Sequence, residues 1–367
     1  MQVAINIRPI LQGRHVKSAN KKPAAGEIAI LSALRARRQT GNSSLTLGIG
    51  DDCALIRPAR GEEIAVTTDF SLENVHFRRH WHPAESIGHR CLARGLSDLA
   101  AMGARPIAAF LSLALPAELT IVRRGQRSWI ERFFDGLLAL AGQMNLPLAG
   151  GDTAESPLAD GRGGLAAADI VLIGGIKRGR ALLRSGARPG DLIYVTGWLG
   201  GAAAELLALE RDPGRFANLK SAGSGHPHLY PEPRVATGEK LEAGRLATAA
   251  IDLSDGLSTD LHHICEESSL SAEIDADVIP IHPMAQLAQA AGWVPSALDL
   301  ALHGGEDYEL LFTAAPETKI PKQVAGVAIH AIGKMKPKYA RDANLALVDA
   351  NRSTSELKPG GWQHFRR

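Results

Sequence analysis

The chain has 367 residues, of which 45% are hydrophobic and 22% charged, and its formal net charge is +2. That is the balance of an ordinary globular protein with apolar material for two cores, and it gives no ground for nucleic acid or a membrane surface as partner. Three dispersed cysteines, Cys53, Cys91 and Cys265, exclude a CxxC zinc or disulfide framework, and no apolar run approaches the ~20 residues of a membrane span, so a cytoplasmic protein is expected.

Residues 1–25 carry Arg8, Arg14, Lys17, Lys21 and Lys22 with no acid before Glu27 and no apolar leader core, and they read as a disordered extension. From Gly26 the pattern becomes globular. Ile28, Leu31 and Leu34 predict a helix over 27–38, and Leu45 to Ile56 and Glu63 to Phe70 read as strands. Ser86 to Met102 reads as a helix closed by Gly103, and Ile107 to Leu115 as an apolar strand. A helix over 129–142 leads to a strand ending at Gly150-Gly-Asp152, and another strand is expected over Asp169 to Ile173.

The pattern breaks at 176–190, which divides the chain into domains of 26–176 and 177–367. The second half opens with a strand, Leu192 to Thr196, and a helix over Ala202 to Leu209, followed by a polar loop over 211–234. Strand, acidic turn and helix are expected over 249–267, and a strand over Tyr308 to Thr313. Strands and helices interleave in both halves, so the fold class is α/β or α+β.

Six aspartates stand at the ends of apolar segments or inside them: Asp52, Asp69, Asp98, Asp152, Asp252 and Asp255. An ionised carboxylate is costly to bury unless it is paired or binds a metal. Asp98 projects within about 20° of Ile87 and Cys91 on a helix, facing an apolar stripe, so it needs a partner there. A salt bridge to Arg94 or Arg90 is one possibility, a metal the other. Thr67-Thr-Asp69 ends a strand and offers the oxygen ligands that magnesium accepts. Gly150-Gly151-Asp152 repeats the offer, with glycines that permit close approach to phosphate. In Asp252-Leu-Ser-Asp255, either Ser254 or Asp255 can serve as a plain helix cap, whereas Asp252 lies ahead of both and is free for a metal. The chain has no GxxxxGK[ST] loop, no dinucleotide fingerprint and no protein-kinase signature. Carboxylates without such a loop point to divalent ions neutralising a polyphosphate.

Seven segments, beginning at Gly48, Thr67, Leu96, Ala149, Arg184, Ala250 and Gly304, resemble the thiamine-monophosphate kinase family in order and spacing. Singly, the aspartate motifs are shared with the aminoimidazole-ribonucleotide synthetase-like superfamily. His76, Gly304-Gly-Glu306 and the terminal Gly361-Trp-Gln-His-Phe365 carry the resemblance to the kinase branch. The resemblance implies two α/β domains, a barrel-like homodimer interface on the first, and direct transfer of the ATP γ-phosphate to thiamine monophosphate. It implies Mg²⁺ ligands at Asp52, Thr67, Thr68, Asp69, Asp98, Asp152, Asp252 and Asp255. ATP contacts are implied at Gly151, Asp152, Arg184 and Ser254, and acceptor contacts at His76, Glu306 and Trp362. Two rivals remain. A selenide-activating synthetase would want a reactive cysteine near its start, and the hydrogenase maturation ATPase would end in one, whereas this chain ends in Phe365-Arg-Arg. A degenerate ATP-binding scaffold would have lost metal ligands, and none is lost.

Overall fold

The computed structural model describes residues 42–49, 51–122, 125–157, 164–216, 219, 225–338 and 344–362; the extension and the helix expected over 27–38 lie outside them. A four-stranded sheet occupies the first half, in the order β3 (Glu62–Leu72), β6 (Ala167–Lys177), β4 (Arg105–Leu115) and β5 (Leu148–Glu155). Its only parallel pair is β4 with β5. Ahead of it, β1 (Leu45–Leu47) and β2 (Leu55–Ile56) form a small ladder. The single strand expected over Leu45 to Ile56 is therefore two, because the chain folds back so that Leu45 pairs with Ile56 and Leu47 with Leu55. The strand expected to stop at Asp152 instead runs on to Glu155, since Gly151 pairs with Leu111 in the ladder. A Cβ on Gly151 would stand 1.9 Å from the Leu111 carbonyl oxygen, so no other residue fits there.

Helices α1 (Ala84–Met102) and α2 (Trp129–Gln143) cross at backbone contact. A Cβ on Gly88 would lie 1.9 Å from the Phe133 carbonyl oxygen, and one on Gly136 1.7 Å from that of Glu85. Ser128 caps α2, its hydroxyl accepting from the Glu131 N–H while the Glu131 carboxylate accepts from the Ser128 N–H. Gly103, in the left-handed region, closes α1.

The second half carries an eight-stranded mixed sheet built on β7 (Leu192–Thr196), β8 (Ala249–Asp252), β9 (Leu270–Asp275) and β10 (Leu310–Ala314). It also contains β11 (Gln323–Val324), β12 (Val327–Pro337), β13 (Leu345–Val348) and β14 (Thr354–Glu356). Its helices are α3 (Gly201–Arg211), α4 (Val235–Ala243), α5 (Leu257–Ser268), α6 (Pro283–Ala290) and α7 (Ala297–His303). Helix α1 lies between the halves. One continuous core joins Leu96 and Leu99 of α1 and Leu172 of β6 to Leu241, Ala250 and Phe312. Such a helix is buried on nearly all sides, and the polar groups along it, Ser86, His89, Arg90 and Ser97, are buried with it. Each of them reaches across to the second half, which is how α1 positions the site.

The mixed α/β two-domain architecture is the one the resemblance implies. Among the described residues the four-stranded sheet stays open, with Ile64, Val66 and Phe70 on its outward face.

Candidate active site

The pleat of β3 alternates side chains between faces. Thr67 and Asp69 point inward toward α1. Thr68 points outward, its hydroxyl donating to Asp169 at 2.8 Å, so the two hydroxyls expected together with Asp69 are divided between faces. The Thr67 hydroxyl donates a short hydrogen bond to the Asp98 carboxylate. Thr67, rather than Arg94 or Arg90, is thus the hydrogen-bond partner of Asp98. Arg94 instead lies 3.4 Å from Asp69, and Arg90 reaches the second half.

From across the interface, β8 ends at Asp252, whose carboxylate accepts from the Ser97 hydroxyl at 2.8 Å. Burial pushes the Asp69 carboxyl up to about 6, opposed by Arg94 and reinforced by Asp98. Burial pushes Asp252 up to about 7, with Asp98 adding to it and the Ser97 hydroxyl opposing. Asp69, Asp98 and Asp252 thus converge where the halves meet, and burial makes ionisation of Asp69 and Asp252 costly.

Helix α5 begins without a side-chain cap at Gly256. Its first-turn Asp260 turns back to accept from the N–H groups of Asp255 and Gly256, at 3.1 and 3.0 Å. Neither Ser254 nor Asp255 is therefore the helix cap, and both border the cavity described next.

The loop before β10 holds Glu306 and Tyr308 with φ of 67° and 50°, in the left-handed region that non-glycine residues seldom adopt. Hydrogen bonds from Glu306 N to the Ser254 carbonyl and from Tyr308 N to the Leu253 carbonyl pin it. Left-handed side chains held this way concentrate at functional sites. Arg90 lies 2.6 Å from Glu306, and His228 lies 3.1 Å from its other oxygen. Burial raises the Glu306 carboxyl, but Arg90, His228 and Arg94 more than offset it and hold it well below the usual range. The His228 imidazole, wholly buried beside Arg90, is pushed down and stays neutral. Its Nε2 lies 2.9 Å from His82, also held neutral by burial and Arg90.

The chain's last described residues dock on the start of α5. Gly360 N donates to the Ser258 hydroxyl, Gly361 N to the Thr259 hydroxyl, and Trp362 N to the Asp255 carbonyl. Gln363 to Phe365 lie outside the described residues.

The result is a cavity of about 390 Å³ between the halves. It brings together Asp69, Asp98, Asp252, Ser254 and Asp255 with His76, Glu306 and Trp362. Asp52, Gly151 and Asp152 border a different cavity, of about 500 Å³, between the β1–β2 turn and β5. Arg184 is exposed beside α5, its carbonyl accepting from Ser268. Sequence reasoning missed Tyr308, His82 and His228, and saw Arg90 and Arg94 only as partners for Asp98. The 211–234 loop gave no sign of His228, which is carried in by Glu205 accepting from the N–H groups of His228 and Leu229.

Among the described residues no three His, Cys, Asp or Glu side chains form a ready metal cage. Magnesium needs none, because it binds through one or two carboxylates with waters and phosphate oxygens completing its shell. The carboxylate crowding at Asp69, Asp98 and Asp252 fits such an ion. Also among the described residues, no helix is long and apolar enough to cross a membrane.

Residues 50–176 match the N-terminal domain of the AIR synthase related proteins, and residues 188–338 match their C-terminal domain. The thiamine-monophosphate kinase of Salmonella typhimurium is 38% identical over 316 residues, covering 85% of this chain and 91% of the relative. The chain belongs to the thiamine-monophosphate kinase family. A crystal structure of the family's enzyme from Stenotrophomonas maltophilia K279a superposes with a TM-score of 0.69 at 35% identity, covering 87% of this chain and 95% of that one. AaThiL complexed with AMPPCP and TMP superposes at 0.67 with 25% identity, over 95% of this chain and all of its own.

Proposed function

We infer that this kinase transfers the γ-phosphate of ATP to thiamine monophosphate, giving thiamine diphosphate and ADP, the last step in making that cofactor. An oxygen of the acceptor's phosphate attacks the γ-phosphorus. The new P–O bond forms as the bond to the β–γ bridging oxygen breaks, and that oxygen leaves with ADP, without a phosphoenzyme. One observation carries the reading. A single cavity sets Glu306, Trp362 and His76 beside Asp69, Asp98 and Asp252, so acceptor groups and carboxylates share one space. An AMPPCP and TMP complex of a protein similar over nearly the whole chain supports it.

Glu306, held ionised by Arg90 and His228, faces the cavity as a fixed negative charge for the thiazolium or the aminopyrimidine, and Trp362 offers a face for a flat cationic ring. Mg²⁺, when bound, neutralises the two anionic reactants and polarises the γ-phosphate. We assign its ligands to Asp69, Asp98, Asp252 and Asp255 in this cavity with Thr67 supporting Asp98, and to Asp52 and Asp152 beside the second cavity. Thr68 enters that assignment only through its backbone, because its hydroxyl faces away. Gly151, Asp152, Arg184 and Ser254 are assigned to ATP.

Incubation with ATP, Mg²⁺ and thiamine monophosphate should release ADP and thiamine diphosphate together, with negligible release on free thiamine. Equal turnover of free thiamine would reject the reading. The same proposal makes the protein a homodimer. Val66 and Phe70, 64% and 52% exposed on one face of β3 with Ile64 beside them, are the kind of apolar sheet face that a second copy covers. A cytoplasmic setting suits an ATP-using enzyme whose three cysteines are all unpaired.

A further inference from the structure

Arg94 stands where the two halves of the site meet. It lies one helical turn before Asp98 on α1, so both side chains leave the same side of the helix. One terminal nitrogen is 3.4 Å from Asp69 and the other 3.8 Å from Glu306. A single guanidinium thus spans the gap between the carboxylates assigned to magnesium and the carboxylate assigned to the acceptor.

Its hydrogen bonding is far from filled. A guanidinium has five N–H donors, and charge-assisted bonds run about 2.7–2.9 Å. The contact to Asp69 is long, the one to Glu306 is beyond bonding range, and the buried Nε has no partner. Among the described residues the Nε of Arg90 is unpartnered too, but its terminal nitrogens are engaged, 2.6 Å from Glu306 and 2.9 Å from His228, and it does not border the cavity. Arg94 does border it.

The surroundings say what Arg94 is for. Around it the cavity is bordered by Asp69, Asp98, Asp252 and Glu306, a field hostile to an incoming phosphate. The other arginine on the cavity, Arg78, lies 4.1 Å over the Trp81 ring and has a partner there. An acceptor with its ring on Trp362 and its cationic part toward Glu306 must place its phosphate near the carboxylates assigned to magnesium. Arg94 occupies the passage between those two points.

We propose that Arg94 binds the phosphate of the acceptor and is the residue that selects the monophosphate over the unphosphorylated compound. This rests on the acceptor reading above. A guanidinium edge matches two phosphate oxygens at once, and the weak contact to Asp69 is what such a phosphate would replace.

The test is equilibrium binding of thiamine and of thiamine monophosphate, with Mg²⁺ and without ATP, to the wild type, R94M, R94K and R78M. The ratio of the two dissociation constants is the readout. The wild type should prefer the monophosphate, and R94M should lose roughly ten- to hundredfold of that preference while its constant for thiamine stays within about twofold. R94K, which keeps the charge without the fork, should lose less, and R78M should keep the preference. If R94M does not fold, as judged by circular dichroism, the R94K ratio decides. An unchanged ratio in the Arg94 variants overturns the inference, as does loss of the ratio in R78M alone. So does weakened ATP binding with the ratio intact, which would put Arg94 on the donor. A wild type that binds neither compound removes the acceptor reading itself, which separates the two failures.

Discussion

Replacing Gly361 by alanine should weaken acceptor binding from a position assigned no contact with substrate. A Cβ there would stand 1.9 Å from the Asp255 carbonyl oxygen and 2.7 Å from the Thr259 hydroxyl, and the backbone at the start of α5 cannot yield that much. The tail must lift, breaking the bonds of Gly361 N to Thr259 and Trp362 N to Asp255 and removing Trp362 from the cavity. A ring stacked on a cation contributes about 0.5–2 kcal/mol, so the Michaelis constant for thiamine monophosphate should rise by roughly two- to thirtyfold. Trp362→Ala should do the same, and the double variant should be no worse than either, because both changes remove one contact. The constant for ATP should hold in all three. Trp362 is 54% exposed, so little buried surface is lost and the melting temperature should fall by only a few degrees. Steady-state ADP release, varying each substrate at saturating levels of the other, measures both constants. Effects that multiply in the double variant would refute the shared cause. A normal acceptor constant in Gly361→Ala would refute the docking argument.

Three further outcomes follow from the same geometry. Asp98→Asn should cut turnover strongly while leaving the fold intact, since it relieves carboxylate crowding beside Asp69 and Asp252; normal turnover at limiting Mg²⁺ would contradict the ligand assignment. Val66→Glu, which puts a charge on the exposed face of β3, should shift sedimentation from dimer to monomer at micromolar protein, and a wild type that sediments only as monomer would dispose of the dimer. Burial pushes the Asp307 carboxyl up to about 7 against the N–H groups of Gly200 and Ala202, so the folded form holds a proton that the unfolded chain releases near the ordinary aspartate value of about 4. Stability should therefore fall as pH rises from about 4 to 7, and Asp307→Asn should flatten that part of the melting-temperature profile. An identical profile in the variant would show that another group sets the slope.

The parts of this molecule that could be read from the chain are those whose cause is local. Strands β3, β4 and β7 and helix α1 follow the apolar period, and their bounds differ from expectation by only a few residues. Reading failed where a local rule was outvoted. Gly150 and Gly151 look like a strand end, yet the ladder with β4 carries the backbone straight through them. Ser254 and Asp255 look like caps, yet Asp260 turns back to do that work and leaves both beside the cavity. The same distinction explains the site. A carboxylate at the end of an apolar strand or on an apolar helix face is anomalous within its own segment, so Asp69, Asp98 and Asp252 were visible one at a time. An arginine on a helix is unremarkable until something is put next to it. Arg90 meets Glu306 across 216 positions of chain, and His228 arrives from a loop with no period at all. The acids of a phosphoryl-transfer site therefore show in the sequence, whereas the cations that hold and balance them, Arg90 and Arg94, gain their meaning only from the packing of α1 between the two halves.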